Sequence, residues 1–174
     1  MQAQRFAARW SPSVWIITLA VIVLVVFVMG GMIRTAKQNP DTVEAWLLVA
    51  GALVLPIVLC VAVLFAPLAY GVVPEGIVIR RIGRSLAIGF EQIGEIRRID
   101  SKEIGLVIRV FGSGGFFGWF GRFYGRHLGW FTAWSSSGSD LVLIRLVDET
   151  RIVISPHPAD GFLEAVRRAR SASP

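Results

Sequence analysis

The sequence predicts a membrane hairpin of two helices, followed by a mainly-β domain of about seven strands and a single closing helix. Three observations carry that prediction. Two long apolar runs without a charge fall in the first 70 residues. Short β-rich runs then recur at a spacing of roughly ten residues. The tail finally switches to a helical period.

The chain has 174 residues, 54% of them hydrophobic, and a mean hydropathy of +0.62, too apolar for an ordinary soluble domain. The first run, Val14–Ile33, holds twenty uncharged residues. At a helical rise this covers about 30 Å, the thickness of a bilayer's hydrocarbon core. The second, Ala45–Tyr70, holds twenty-six and is long enough to span with tilt. Residues 1–70 are therefore assigned to a transmembrane hairpin. A cleaved signal sequence is the competing reading of the first run, although its apolar stretch exceeds the usual one of about 7–15 residues.

Asn39-Pro40-Asp41 reads as the turn between the helices, with Asp41 or Thr42 capping the second. Pro56 sits inside that helix, where neighbouring helices can satisfy the backbone group it frees. Neither span contains an ionisable acid, base or histidine, which argues against a pump or carrier. Gly30-Gly31 and the Gly51/Ala52 pair would permit close helix approach, within the chain or in a homo-oligomer. Cys60, the single cysteine, reads as a small hydrophobe in mid-span.

Basic residues orient the hairpin. Arg5 and Arg9 precede the first helix, and Arg80, Arg81 and Arg84 follow the second. The connecting segment sets Arg34 and Lys37 against Asp41 and Glu44. The positive-inside rule then places both termini in the cytoplasm. Trp10, Trp15 and Tyr70 are expected as anchors at the inner interface and Trp46 at the outer one.

Residues 71–174 carry the β pattern: Gly76–Arg81, Ser85–Phe90, Gly94–Asp100, Gly105–Phe111, Gly129–Ser135, Leu141–Val147 and Arg151–Ser155. Asp148-Glu149-Thr150 suits a hairpin loop. Seven short strands suggest a small sandwich or barrel. A helix follows over about 158–170. Pro158 falls in its first turn, Phe162, Val166 and Ala169 form an apolar stripe, and Arg167, Arg168 and Arg170 lie at its C-terminal end.

Residues 111–134, FGSGGFFGWFGRFYGRHLGWFTAW, contain ten aromatics and seven glycines and no acid. Such a segment is too apolar to stay disordered and reads as a tightly folded loop or platform. Three roles stand open for it. Its rings can fold back over the barrel. Phe116, Phe117, Trp119 and Phe120 can enter the bilayer interface, with Arg122 and Arg126 meeting headgroups. The same residues can form a protein-docking surface, since Trp, Tyr and Arg dominate binding hot spots.

FGSGGFFGWFGRF (Phe111–Phe123), GWFTAWSS (Gly129–Ser136), LVLIRL (Leu141–Leu146) and IVISPHPADGFLEAV (Ile152–Val166), downstream of two membrane helices, resemble the bacterial pleckstrin-homology-like membrane proteins. The resemblance implies a barrel of two near-orthogonal sheets with one capping helix, in a multi-pass protein of the bacterial cell membrane. It implies no particular activity. Eukaryotic relatives of that fold often hold phosphoinositides at a basic first hairpin. The equivalent turn here, Val73-Pro74-Glu75-Gly76, carries an acid instead. Arg80, Arg81 and Arg84 lie one turn later and are candidate contacts for anionic headgroups.

No other constellation carries chemistry. Gly112-Ser113-Gly114-Gly115 begins like a nucleotide loop, but Phe117 stands where a third glycine belongs and no GK[ST] follows. His127 and His157 have no partner at metal-ligand spacing. Ser135–Ser137 lack the context of a nucleophile. The net charge of +6 and pI of about 10.7 are accounted for by the cytoplasmic bias, without nucleic acid. The sequence thus points to a membrane-anchored module with no catalytic residue, metal, cofactor or small-molecule substrate, presenting a surface to a membrane or cytoplasmic protein. The alternative is a sensor of the lipid surface or of envelope stress.

Overall fold

The computed structural model describes residues 4–172. Strand β1 (Gln4–Ala8) leads into helix α1 (Pro12–Gln38), where Pro12 occupies the first turn and its missing N–H costs no bond. Asn39-Pro40 ends α1. Helix α2 (Val43–Phe65) starts at a Thr42 cap whose Oγ1 accepts from the Ala45 amide at 3.2 Å. Both helices are long and apolar enough to cross a membrane. Only 6% of the most apolar stretch of each is buried within the protein, so neither is the core helix of a soluble domain.

The second helix is shorter than the sequence suggests. Pro67 disfavours helical geometry at Ala66, which is extended, and the chain passes directly into β2 (Pro67–Val73). Tyr70 is therefore no interfacial anchor. It lies on β2 with none of its surface exposed.

Two sheets follow. The first has the order β11-β1-β2-β3-β4, with β3 (Gly76–Arg81), β4 (Leu86–Gly89) and the short β11 (Pro156–His157). The second has the order β5-β9-β10-β8-β7-β6. Its strands are β5 (Ile93–Ile99), β6 (Val107–Gly114), β7 (Trp119–Gly125), β8 (Gly129–Ser135), β9 (Leu141–Leu146) and β10 (Arg151–Ile154). A one-turn helix α3 (Ser101–Ile104) joins β5 to β6, and α4 (Ala159–Ala172) closes the chain.

The boundary expected at residue 70 is thus displaced. β1 pairs with β2 (Arg5↔Gly71, Ala7↔Ala69), so the segment ahead of α1 belongs to the barrel. A leader cleaved after α1 would carry this strand away.

Alternation along the second sheet gives each of its faces a core. Val142, Ile144, Ile152 and Ile154 point toward Tyr70, Ile77 and Ile79 of the first sheet and Phe162 and Val166 of α4. Leu141, Leu143 and Val153 point the other way, with Phe123, Phe131, Ala133 and Ile104. Burial on both faces explains why LVLIRL reads as a continuous apolar run.

Residues 111–134 are mostly strand rather than loop. Aromatic side chains suit a pleated, half-buried surface. Glycine appears where the strands leave no room: Gly112 and Gly121 face each other at φ 108° and 118°. A Cβ on Gly112 would meet the Phe120 carbonyl at 2.1 Å.

The small-residue pairs also resolve. A Cβ on Gly51 would meet Met32 Cε at 2.6 Å, so Gly51 serves packing of α2 on α1 within the chain. Gly30 and Gly31 face open space.

Candidate functional site

The β6–β7 turn, Gly115–Gly118, rests on the first turns of α1. The Phe117 amide donates to Thr18 Oγ1 at 3.0 Å, and Thr18 is only 3% exposed. The Phe117 ring meets Trp10 and Phe116 at centroid distances of 5.3 and 4.5 Å. Phe117 holds φ at 55°, unusual for a bulky residue, and these contacts hold it there.

Further ties lock the same end of the barrel to the helices. The Ser11 amide donates to the Ser136 carbonyl at 3.2 Å, and Ser136 Oγ donates to the Arg9 carbonyl at 3.0 Å. The Ser136 amide donates to Ser155 Oγ at 2.9 Å. Ser135–Ser137 are thus buried parts of a structural hydroxyl network. Tyr70 joins it, its hydroxyl donating to the Trp134 carbonyl at 2.7 Å. Burial pushes the Tyr70 phenol up, against the opposing pull of its bonds to Ser155 and Ser136.

At the end of α2, the Gly83 amide donates to the Leu64 carbonyl at 3.0 Å, and the register places Arg81 opposite Pro67. Arg81 and Arg84 therefore lie level with the helix end. The Arg81 guanidinium stacks 4.3 Å from the Trp134 ring centroid. Its Nε is buried without a hydrogen-bond partner among the described residues, and desolvation, then neighbouring Arg84, lowers its pKa. Arg80 is half-buried one position back along β3, and Arg84 is exposed.

The candidate interaction residues do not form one loop. Phe116 and Phe117 are half-buried at the helix junction. Trp119 turns into the second core, and Phe120 is only 5% exposed. Arg122 is exposed along β7, and Arg126 lies in the β7–β8 turn at the opposite end of the hairpin. Trp10 and Trp15 meet at 4.8 Å beside the start of α1, and Trp15 and Trp46 are both exposed.

The most exposed apolar surface on this sheet escaped the sequence reading. Ile108, Tyr124 and Trp130 form one cross-strand row. A bulge at Val110 brings Phe111 onto the same face beside Arg122 and Thr132. Phe111 is 76% exposed and Trp130 58%. Beyond β6 no further strand pairs among the described residues, so this strip borders a free edge. No Asp or Glu occurs between Glu103 and Asp140, but the β9–β10 turn brings Asp148 and Glu149 beside Arg122 and Trp130, so the strip is bordered by charges of both signs. The available signal was alternation in RFYG and GWFT: Phe123 and Phe131 inward, Tyr124 and Trp130 outward.

A family model described as Bacterial PH domain matches residues 68–170, more than half of the chain. The chain belongs to the bacterial PH domain family. Nothing among curated proteins or solved structures matches it. Members of this fold are generally binding modules rather than catalysts, and the match covers β2 to α4, from the second sequence position of β2 onward. β1 and both long helices lie outside it, so this bacterial PH domain borrows a strand from the segment that precedes its helices. Among the described residues, no group of three or more His, Cys, Asp or Glu is placed to hold a metal.

Proposed function

We propose that this bacterial PH domain is a membrane-anchored, non-enzymatic docking module on the cytoplasmic side of the bacterial cell membrane. Its partner surface is the free edge of β6 with the strip Ile108, Phe111, Tyr124 and Trp130. The observation that carries this reading is large aromatic exposure beside an unpaired strand edge, since contiguous exposed apolar patches mark interaction sites. The partner is a protein that adds an extended apolar segment to the free edge of β6. The junction at Thr18 and Leu64 supports the reading, because it gives the strip a fixed position relative to the anchoring helices.

The test is photo-crosslinking in cells from position 130, read by mass spectrometry. Crosslinks to one protein, lost when Ile108→Lys is added, support docking. Adducts to lipid alone refute it.

A second reading has its own observation. The Gly83–Leu64 bond supports placing Arg81 and Arg84 in the headgroup layer, where each basic residue contributes about 1 kcal/mol of attraction to anionic lipid. On this reading the barrel senses the lipid surface. It expects Arg84→Glu to shift the headgroup contacts of the full-length chain in anionic nanodiscs while leaving position 130 unchanged.

A further inference from the structure

The face of the second sheet opposite the main core carries a partly open cavity of about 210 Å³. Val107, Trp119, Phe123, Phe131, Leu141 and Val153 form its apolar wall, together with Ile104 of α3. An apolar cavity of about 150 Å³ stays dry and accepts a benzene-sized guest, and by the same proportion this one holds about eight carbons. The exposed lining is almost wholly apolar, so a hydrocarbon chain gains more there than water does.

The cavity does not end in protein. Ser101, Gly138 and Leu141 also line a polar groove bordered by Arg98, Asp100, Glu103, Ser139 and Asp140. The charges there are already committed. Arg98 donates to Asp140 at 2.9 Å and to Asp160 at 2.7 Å. Asp100 accepts from the Lys102 amide, and Glu103 accepts from Arg97 at 2.8 Å. With its carboxylates and Arg98 all engaged by neighbouring partners, His157 on Asp140 included, the groove has no free cation among the described residues to draw an anion and is open to neutral hydrogen-bonding groups. Trp119 and Ser135, in the cavity wall, adjoin the Phe117–Thr18 and Ser136–Ser11 ties, so the cavity lies at the end of the barrel that holds the helices.

We propose that this paired cavity and groove bind one aliphatic chain carrying an uncharged polar head, the chain among Trp119, Phe123 and Phe131 and the head between Ser101 and Ser139. The site is separate from the strip at Ile108 and Trp130, which lies on the opposite face of the same strands. The chain can come from a bilayer lipid or from a free amphiphile; the chemistry recognised is the same.

The full-length protein, labelled with 5-fluorotryptophan in lipid nanodiscs, provides the test. The Trp119 signal is assigned by Trp119→Phe, and 1-hexanol, 1-octanol and octanoate are the probes. Octanol is expected to shift the Trp119 signal saturably. Hexanol should bind roughly tenfold or more weakly, at about fourfold per methylene lost. Octanoate should bind at least tenfold more weakly than octanol. Gly138→Phe, at a position where a Cβ meets nothing within 4 Å, should weaken octanol at least tenfold with an unchanged melting temperature. Should that variant not fold, Ala133→Leu, which fills the cavity from β8, replaces it with the same expectation. A Trp119 signal already at its bound position in nanodiscs, and released in amphipol, identifies a lipid chain as occupant and supports the proposal. A Trp119 response that is linear, like that of exposed Trp15, overturns it. So does octanol binding that the folded cavity variant retains, and octanoate binding equal to octanol overturns the assignment of the head.

Discussion

Thr18→Val isolates the tie between barrel and anchor. Valine matches threonine in shape, so no cavity opens, and the change removes one acceptor from a site that is 3% exposed. The Phe117 amide, 3.0 Å from that acceptor, is left part-buried without a partner. An unsatisfied buried amide costs about 1–3 kcal/mol, and partial access to water puts this one at about 1–2 kcal/mol. That corresponds to a factor of roughly 5–30 in the opening equilibrium of the turn. Hydrogen–deuterium exchange of the full-length chain in nanodiscs reads it directly. Amides of Gly115–Gly118 should exchange faster by that factor, while those of β10, in the centre of the second sheet, should not change. Unaltered exchange at Gly115–Gly118 would show that the turn is held by ring contacts alone and that the hydrogen bond to α1 is incidental.

Other consequences separate core from surface. Phe123→Ala, at a residue buried in the second core, should cost about 3–5 kcal/mol in chemical unfolding, whereas Trp130→Ala should cost under about 1 kcal/mol. Gly121→Ala forces a Cβ to within 2.2 Å of the Phe111 carbonyl at φ 118° and should lose about 1–3 kcal/mol, measured as a fall in melting temperature. Tyr70 has a folded pKa raised above 10.0, so its contribution is fully present below that pH and is lost as pH rises through the folded value. The unfolding midpoint should therefore drop on the alkaline side of about pH 10, and Tyr70→Phe should flatten that limb. A fragment of residues 71–174 lacks β1 and the first half of β2, including Tyr70, and should show no cooperative unfolding transition.

The long elements were legible because their signals are local. Twenty uncharged residues cannot be a surface strand, and the apolar stripe of Phe162, Val166 and Ala169 needs no tertiary context to announce a helix. β3 and β8 were bounded correctly for the same reason: each β-branched or aromatic run starts at a glycine. What failed depended on distant partners. β1 is five residues whose strand character comes from β2, across two intervening helices. β2 continues an apolar run without any change of composition, and only the geometry imposed by Pro67 separates strand from helix. In β6 and β7 the glycines read as loop, yet Gly112 and Gly121 are demanded by backbone approach across the ladder.

The candidate site was legible in composition but not in arrangement. Aromatic density correctly marked residues 111–134 as unusual. It could not show that Phe120 is buried and Trp119 in the core wall while Phe111 and Trp130 are bare, because that split is set by strand register and the bulge at Val110. The buried role of Ser136 likewise needed the fold, which brings it to Arg9 and Ser11 from more than a hundred residues away.

Exchange at the β6 edge tests the docking account most directly. Amides of Leu106–Phe111 would be followed in native membrane vesicles and again in the purified chain in nanodiscs, so that lipid is present in both. Strand addition predicts slower exchange in the native vesicles, confined to this edge and removed by Ile108→Lys. Equal exchange in the two preparations would contradict it.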